Sequence, residues 1–140
     1  GGAWQLMRMN IADRSRHQLT TSGGYAAQPS PDGASILFTR LERPGVWSMN
    51  AAGGEPTLIV PAVRAAETVN WRVTPHGIYY VGMTNGQIVV KRASLSGGAA
   101  VDVAWIGNYS WPGFAVTRDR KLIYAHWDRR ESNIMAMDQP

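Results

Sequence analysis

The sequence predicts an all-β fold built from repeated small sheets, and three observations predict it. The 140 residues include 15 Gly, 8 Pro, 6 Trp and 5 Tyr among short runs rich in Val, Ile and Met, which is typical of many short strands joined by tight turns. Hydrophobic residues make up 44% and charged residues 17%, so we expect a folded domain rather than a disordered segment. The third observation is a repeat of 43 to 44 residues, the period of one four-stranded propeller blade.

The first complete unit of this repeat begins at the turn Pro-Ser-Pro-Asp-Gly, residues 29–33. It continues through the strand-like segments 36–39 and 45–49, a Gly-Gly pair at 53–54 and a closing segment at 57–60. Pro-Asp-Gly favours a tight reversal, because Pro fixes φ, the Asp side chain bonds nearby backbone and Gly tolerates a positive φ. This Gly-Gly pair, and the pair at 97–98 in the next unit, each predict a hairpin between a third and a fourth strand.

The same order of segments returns twice. Gly77 follows Gly33 by 44 residues, and Arg120 follows Gly77 by 43. The chain starts within a unit, since 4–9 and 16–20 match a third and a fourth strand. We therefore predict a single partial β-propeller domain over 1–140, all-β, with blades of four antiparallel strands and about three blades in all, in units of approximately 1–21, 22–62, 63–106 and 107–140.

Two kinds of apolar residue are predicted to form the core. The segments 36–38 and 78–81 are continuously apolar, as expected for second strands that are covered on both sides by neighbouring blades. Trp47 and Trp71 lie at blade boundaries, where tryptophan more often wedges sheets together than binds a ligand.

The unit 29–60 resembles the TolB-like propeller repeat, in which a Ser-Pro-Asp-Gly turn precedes an Ile/Ala-Phe strand and a Gly-Gly pair closes the blade. The second copy has His76 in place of the Asp, and the third has Arg-Asp-Arg at 118–120. The resemblance implies a ring of six or more blades that serves as a binding platform. Such platforms occur in periplasmic TolB, as lids of oligopeptidases and as sensory domains of bacterial winged-helix transcription regulators, and this chain is most similar to the last group.

About three blades are too few for a ring, because closed propellers have about four to eight. An open array exposes a sheet edge and an apolar face at each end, which favours pairing. The last copy has three predicted strands, the third at 133–137, and the first residues supply a third and a fourth strand that could complete such a blade. Two chains joined head to tail would then form a six-bladed homodimer. The alternative is a piece of a longer protein, which the lack of an initiating Met favours.

The sequence shows no motif for catalysis or metal binding, and we expect neither an enzyme nor a cofactor. It contains no Gly-x-Ser-x-Gly elbow. His17, His76 and His126 fall at different blade positions without a partner at metal-binding spacing. The Asp residues form no calcium loop, and the absence of Cys excludes disulfides and zinc-thiolate sites.

The charge distribution and the hydropathy of the sequence limit the classes of partner that we expect for this domain. The net charge of +4 is scattered along the chain, whereas nucleic-acid binding needs positive charge collected on one face. No stretch approaches the 18 apolar residues of a membrane span. We therefore expect neither nucleic acid nor membrane as a partner of this domain, and cytoplasm and periplasm both stay open as its location.

The propeller geometry predicts where a binding site would lie. Ligands and protein partners meet the loops between second and third strands, here 40–43, 83–85 and 126–130, and the connections between blades, here 22–25, 64–67 and 108–111. Trp, Tyr and Arg dominate binding hot spots. The candidate residues for a protein or small-ligand partner are Arg40, Glu42, Arg43, Tyr109, Trp111, Trp127, Asp128 and Arg129.

Three functions are compatible with the sequence. The one it favours is a non-catalytic interaction or sensory module, because every recognisable motif is structural. The second is a propeller that gates an oligopeptidase, which requires a hydrolase domain elsewhere in the protein. The third is a propeller fragment whose only activity is self-assembly.

Overall fold

The computed structural model of the protein describes residues 3–64, 67–107 and 109–126. No helix in this described part is long and apolar enough to cross a membrane. The described residues form twelve strands: β1 (Met7–Met9), β2 (Arg16–Gln18), β3 (Tyr25–Pro29), β4 (Ser35–Thr39), β5 (Val46–Asn50), β6 (Thr57–Val60), β7 (Trp71–Thr74), β8 (Gly77–Thr84), β9 (Gln87–Ser94), β10 (Gly97–Trp105), β11 (Tyr109–Val116) and β12 (Leu122–His126).

The strands are arranged in four antiparallel sheets. Strands β3 to β6 form one four-stranded sheet and β7 to β10 a second, each with its strands in chain order. Strands β1 and β2 form a two-stranded sheet, as do β11 and β12. The predicted all-β class with four-stranded antiparallel blades is confirmed, and within the described residues the sheets are open and form no closed ring. The predicted strand at 133–137 lies outside the described residues.

Strand β8 is covered on both faces, as its apolar sequence predicts. Ile78 and Tyr80 point to one side, into a core between the two four-stranded sheets. Tyr79 and Val81 point to the other, into a core shared with β11. This alternation follows from the two-residue period of a strand. The first core also contains Leu37, Val46, Val60, Val63, Trp71 and Ala93, and the second Val90, Ile106 and Phe114.

The first strands of adjacent sheets are joined by side-chain amides rather than by a backbone ladder. Gln28 on β3 donates from Nε2 to the carbonyl oxygen of Trp71 at 3.0 Å and accepts from the Val73 N–H at 3.0 Å. Between the β7–β10 sheet and the β11–β12 sheet, the Gly113 N–H donates to Oδ1 of Asn70, the residue before β7, at 3.1 Å. These amides satisfy backbone groups that a sheet edge would otherwise leave open.

The two Gly-Gly pairs differ in position. Gly53 and Gly54 lie in the β5–β6 connection, as predicted. Gly97 and Gly98 instead begin β10, and the reversal is made by residues 95–96. A Cβ on Gly97 would overlap the carbonyl oxygen of Ile59 on the neighbouring sheet. Gly97 therefore allows the two four-stranded sheets to approach each other.

The turn at 30–33 and its degraded copy share one hydrogen-bonding pattern. Ser30 Oγ donates to Asp32 Oδ1 at 2.6 Å and accepts from the Ser35 N–H. In the copy, Thr117 Oγ1 donates to Asp119 Oδ1 at 2.5 Å and accepts from the Lys121 N–H. The hydroxyl group at the first position of each turn thus makes the same two hydrogen bonds in both turns.

The two-stranded sheets at either end leave apolar surface uncovered. Every residue of β1 and β2 is exposed, and Met7 and Ile11 are 54% and 89% exposed. At the other end, Trp105 on β10 and Ile123 on β12 are 65% and 60% exposed. The described part of the chain supplies no further strand to cover either end.

Candidate loop-face site

The antiparallel strand order brings a defined set of loops to one end of the sheets. Strand β4 ends where β3 began, so the β4–β5 loop (40–45) lies beside the connections that precede β3 (19–24) and β7 (61–70). We call this end the loop face. The opposite end carries the turns 30–34, 75–76 and 117–121, and we call it the turn face.

Three of the predicted site residues are brought together at the loop face. Arg40, Glu42 and Arg43 line one cavity of about 90 Å³ in the β4–β5 loop. The cavity is also lined by Ala3 and Trp4 near the start of the chain and by Ser22 and Gly23 in the connection before β3. The loop itself adds Leu41. The cavity thus lies where the β1–β2 sheet meets the β3–β6 sheet.

The other predicted residues are placed differently. Tyr109 and Trp111 belong to β11 rather than to a connection, because Tyr109 pairs with His126 and extends the β11–β12 ladder. Met83 likewise lies in β8, whose reversal into β9 needs only Asn85 and Gly86. The remaining three candidates, Trp127, Asp128 and Arg129, lie outside the described residues.

Arg40 is buried against aromatic rings although it follows the last residue of a strand. Its side chain is only 6% exposed. The guanidinium carbon lies 4.2 Å from the ring centroid of Trp47 and 5.8 Å from that of Phe38. The register explains this stack, because Phe38 pairs with Trp47 and Arg40, two residues further on, shares the face of Phe38.

The guanidinium of Arg40 has no hydrogen-bond acceptor among the described residues. Its Nε is buried without a partner, as is Nε1 of Trp47. Burial lowers the pKa of Arg40 below its ordinary value and the nearby Arg43 lowers it further, while Glu55 acts in the opposite direction. Stacking on a ring stabilises the face of a guanidinium but leaves its in-plane N–H donors without acceptors.

The neighbouring connection shows a carboxylate whose hydrogen bonds are satisfied within the chain. Glu67 is 8% exposed, and it accepts from Arg64 Nη2 at 3.0 Å and from Asn70 Nδ2 at 2.6 Å. Buried charges in proteins are ordinarily paired in this way. Arg40 is the contrasting case on the same face, a buried cation that no carboxylate of the described residues bonds directly and on which Glu55 acts only from a distance.

A wider groove lies on the turn face. It has a volume of about 620 Å³ and runs between the three turns, past Pro31, His76 and Arg118. Its hydroxyl groups are already engaged: Ser30 and Thr117 bond within their own turns, and Thr74 Oγ1 donates to the Gly77 carbonyl oxygen. The groove therefore offers fewer free polar groups than its size suggests.

Sequence reasoning missed two residues of the loop-face site. Trp4 is 68% exposed, lines the cavity and makes an edge contact with Tyr25 at 6.2 Å between ring centroids. Trp47 was assigned to the core, but it is half-buried and forms the platform under Arg40. The available signal was the pattern Phe-x-Arg on one strand facing Trp on the next.

Comparison with known proteins adds no assignment. No protein-family model and no curated protein matches the chain. In the described ranges, no group of three or more His, Cys, Asp or Glu side chains could hold a metal ion. The site itself is a small cavity lined by two arginines, one glutamate and Trp4.

Proposed function

We propose that this protein is a non-catalytic propeller-type module that binds a protein or small ligand at its loop face. The observation that carries the proposal is the cavity at Arg40, where a loop, a connection between sheets and an exposed Trp4 meet around a buried cation without a partner. Arginine and tryptophan in such settings are frequent binding hot spots. By contrast, the hydroxyl groups of Ser30 and Thr117 on the turn face bond within their own turns.

The TolB-like character of the repeat remains part of this proposal. The shared hydrogen bonds of the turns at Ser30 and Thr117 support a common origin of the units. In the TolB-like family, propellers act as interaction or sensory domains, and a loop-face site suits that role.

The binding module is proposed to complete its ring with a second copy of the chain. The β11–β12 sheet has two strands in the described residues, and in this proposal the β1–β2 sheet of a second copy supplies the third and fourth strands of its blade. Pairing β12 of one copy with β1 of another would cover exposed apolar residues such as Trp105, Ile123 and Met7. Static light scattering over a range of concentrations tests it. A mass near twice 15.3 kDa that persists on dilution supports the two-copy ring, and a monomer overturns it.

The loop-face assignment is tested with two charge reversals at opposite ends of the sheets. Arg43→Glu changes an exposed residue of the loop face, and Arg118→Glu changes an exposed residue of the turn face by the same charge. Partners captured by the wild-type chain are identified by mass spectrometry, and their affinities for both variants are then measured. Loss of binding confined to Arg43→Glu supports the proposal. Loss confined to Arg118→Glu places the partner on the turn face and refutes it.

A further inference from the structure

We infer that the cavity beside Arg40 is a carboxylate-binding subsite, which takes the carboxylate of an acidic ligand between Arg40, Arg43 and the aromatic platform. This inference rests on the proposed loop-face binding and specifies its chemistry. It starts from the guanidinium of Arg40, which is 6% exposed and has a buried Nε without an acceptor. That Nε is closed to the cavity, but the rest of the guanidinium also makes no hydrogen bond or ion pair with the described residues, and a cation so largely removed from water is stabilised by an anion that reaches it.

The shape of the donor group selects the ligand. The two Nη atoms of Arg40, unlike its Nε, are not fully buried, and the terminal Nη–H groups of an arginine form a planar fork that matches the two oxygens of a carboxylate. Trp47 fixes the plane of this fork, because the guanidinium carbon lies 4.2 Å from its ring centroid. A fork that is already oriented loses little side-chain entropy when the carboxylate binds.

The surroundings favour a single anion of small size. The cavity has a volume of about 90 Å³, which suits one carboxylate group and a few water molecules, each with a share of about 30 Å³ in the liquid. Arg43 lines it as a second cation, and no ion pair ties Arg43 to a carboxylate among the described residues. Two arginines at one cavity attract an anion from solution.

Glu42 is the carboxylate of the chain that competes for this place. It also lines the cavity, but it is exposed and makes no hydrogen bond or ion pair with Arg40 among the described residues. The buried Glu67, in contrast, bonds the exposed Arg64 directly at 3.0 Å, so the buried charge of the neighbouring connection has its partner within the chain. At Arg40 the acceptor is left for a ligand to supply.

The test is a titration of the whole chain with sodium acetate at constant ionic strength, followed by the Nε–H signals of arginine in ¹⁵N-resolved NMR spectra. Arg40→Lys identifies the Arg40 signal by its loss. We expect this signal to shift in a saturable way with acetate, and less with phosphate at equal concentration. The matched control is Arg72, which also lies against a ring, 5.6 Å from Phe114, but donates to the carbonyl oxygens of Val69 and Trp71. Its signal should not move.

Three variants separate the contributions to acetate affinity. Arg40→Lys keeps the charge but loses the fork, and it should weaken acetate binding by about tenfold. Arg43→Gln removes an exposed charge and should weaken binding by a few fold without affecting the fold. Glu42→Gln should bind acetate at least as tightly as the wild type. Because Arg40→Lys could disturb packing, the Arg72 signal and the thermal unfolding curve of each variant are recorded as folding controls.

Two capped peptides distinguish the sources of the carboxylate. Acetyl-Gly-Glu-Gly-amide carries only a side-chain carboxylate, and acetyl-Gly-Gly carries only a terminal one. Tighter binding of either peptide than of acetate supports the subsite and names its source.

Other outcomes overturn the inference. If the Arg40 signal does not shift with acetate or with either peptide, the cavity holds water only. If the signal shifts more with phosphate than with acetate, the cavity binds another anion in preference to a carboxylate. A large shift of the Arg40 signal in Glu42→Gln without any ligand means that Glu42 is the partner. The proposed function fails separately, if partner binding is lost in Arg118→Glu and kept in Arg43→Glu.

Discussion

Gly33 and Arg120 occupy the same left-handed position in two equivalent turns, with φ angles of 72° and 62°. The N–H of Gly33 donates to the Ser30 carbonyl oxygen at 2.9 Å, and the N–H of Arg120 donates to that of Thr117 at 3.0 Å. Glycine adopts this conformation freely, whereas a residue with a Cβ is disfavoured there by about 1–2 kcal/mol. The last turn has thus kept the geometry of the first without its glycine.

Arg120→Gly is expected to raise the free energy of unfolding by about 1 kcal/mol. The substitution removes the strain of a left-handed residue with a Cβ, and the greater flexibility of the unfolded chain offsets part of that stabilisation. Urea denaturation measures the change. The control is Arg118→Gly in the same turn, where φ is not positive. There the greater freedom of the unfolded chain should lower the stability, and equal effects of the two substitutions would contradict the strain at Arg120.

Gly97→Ala tests the close approach of the two four-stranded sheets. A Cβ at this position would overlap the Ile59 carbonyl oxygen, and φ is 88°, so both a clash and backbone strain oppose the change. We expect a loss of about 3 kcal/mol in the free energy of unfolding.

Gly98→Ala is the matched control for Gly97→Ala. Its φ of 95° is equally unfavourable, but a Cβ there would meet nothing within 4 Å. The loss should be about 1 kcal/mol, and the difference between the two variants isolates the clash. If both lose the same amount, the sheets are further apart than the structure shows.

Gln28→Leu tests the amide link between β3 and β7. The substitution removes the acceptor of the Val73 N–H and the donor to the Trp71 carbonyl oxygen, and it leaves both backbone groups partly buried. Unfolding should become easier by about 2 kcal/mol, as measured by urea denaturation. Gln87→Leu, at an exposed position of β9, should change stability by less than about 0.5 kcal/mol. Comparable losses would show that Gln28 is not a link between sheets.

The features of the fold that depend on local pattern could be predicted from the sequence. The unbroken apolar run at 78–81 predicts a strand covered on both faces, and the Pro-Asp-Gly turn predicts a reversal at 31–33. Features set by contacts between distant segments could not. The pattern at 97–98 predicts the β9–β10 hairpin, which the structure shows, but not the contact of Gly97 with the Ile59 carbonyl oxygen, which lies on another sheet.

The candidate site was predictable in place but not in chemistry. The strand order alone puts the β4–β5 loop on the face where we propose that binding occurs. The segment Arg-Leu-Glu-Arg at 40–43 looks like a solvated loop, since charged residues are rarely buried. Only the register that pairs Phe38 with Trp47 brings Arg40 over a ring and removes it from water.

Acidification should weaken the fold through the aspartates of the turns. The Ser30 hydroxyl, together with the Ala34 N–H, holds the pKa of Asp32 below its ordinary 3.8, and the Thr117 hydroxyl and Lys121 do the same for the pKa of Asp119. A carboxyl group with a lowered folded-state pKa contributes stability above its unfolded pKa and loses it as the pH falls through the folded value. The free energy of unfolding should therefore fall from about pH 5 to about pH 2.

Asp32→Asn separates this contribution from general acid unfolding. The amide oxygen of Asn can still accept from Ser30 and Ala34, which are 2.6 and 3.0 Å from Asp32 Oδ1, but it does not titrate. The variant should be less stable than the wild type at pH 7, because a charged acceptor forms the stronger hydrogen bonds, and it should lose less stability on acidification. Urea denaturation at a series of pH values should give two curves that converge at low pH. Curves that stay parallel would mean that the charge of Asp32 does not stabilise the turn, and that the hydroxyl of Ser30 and the glycine at position 33 are sufficient to form it.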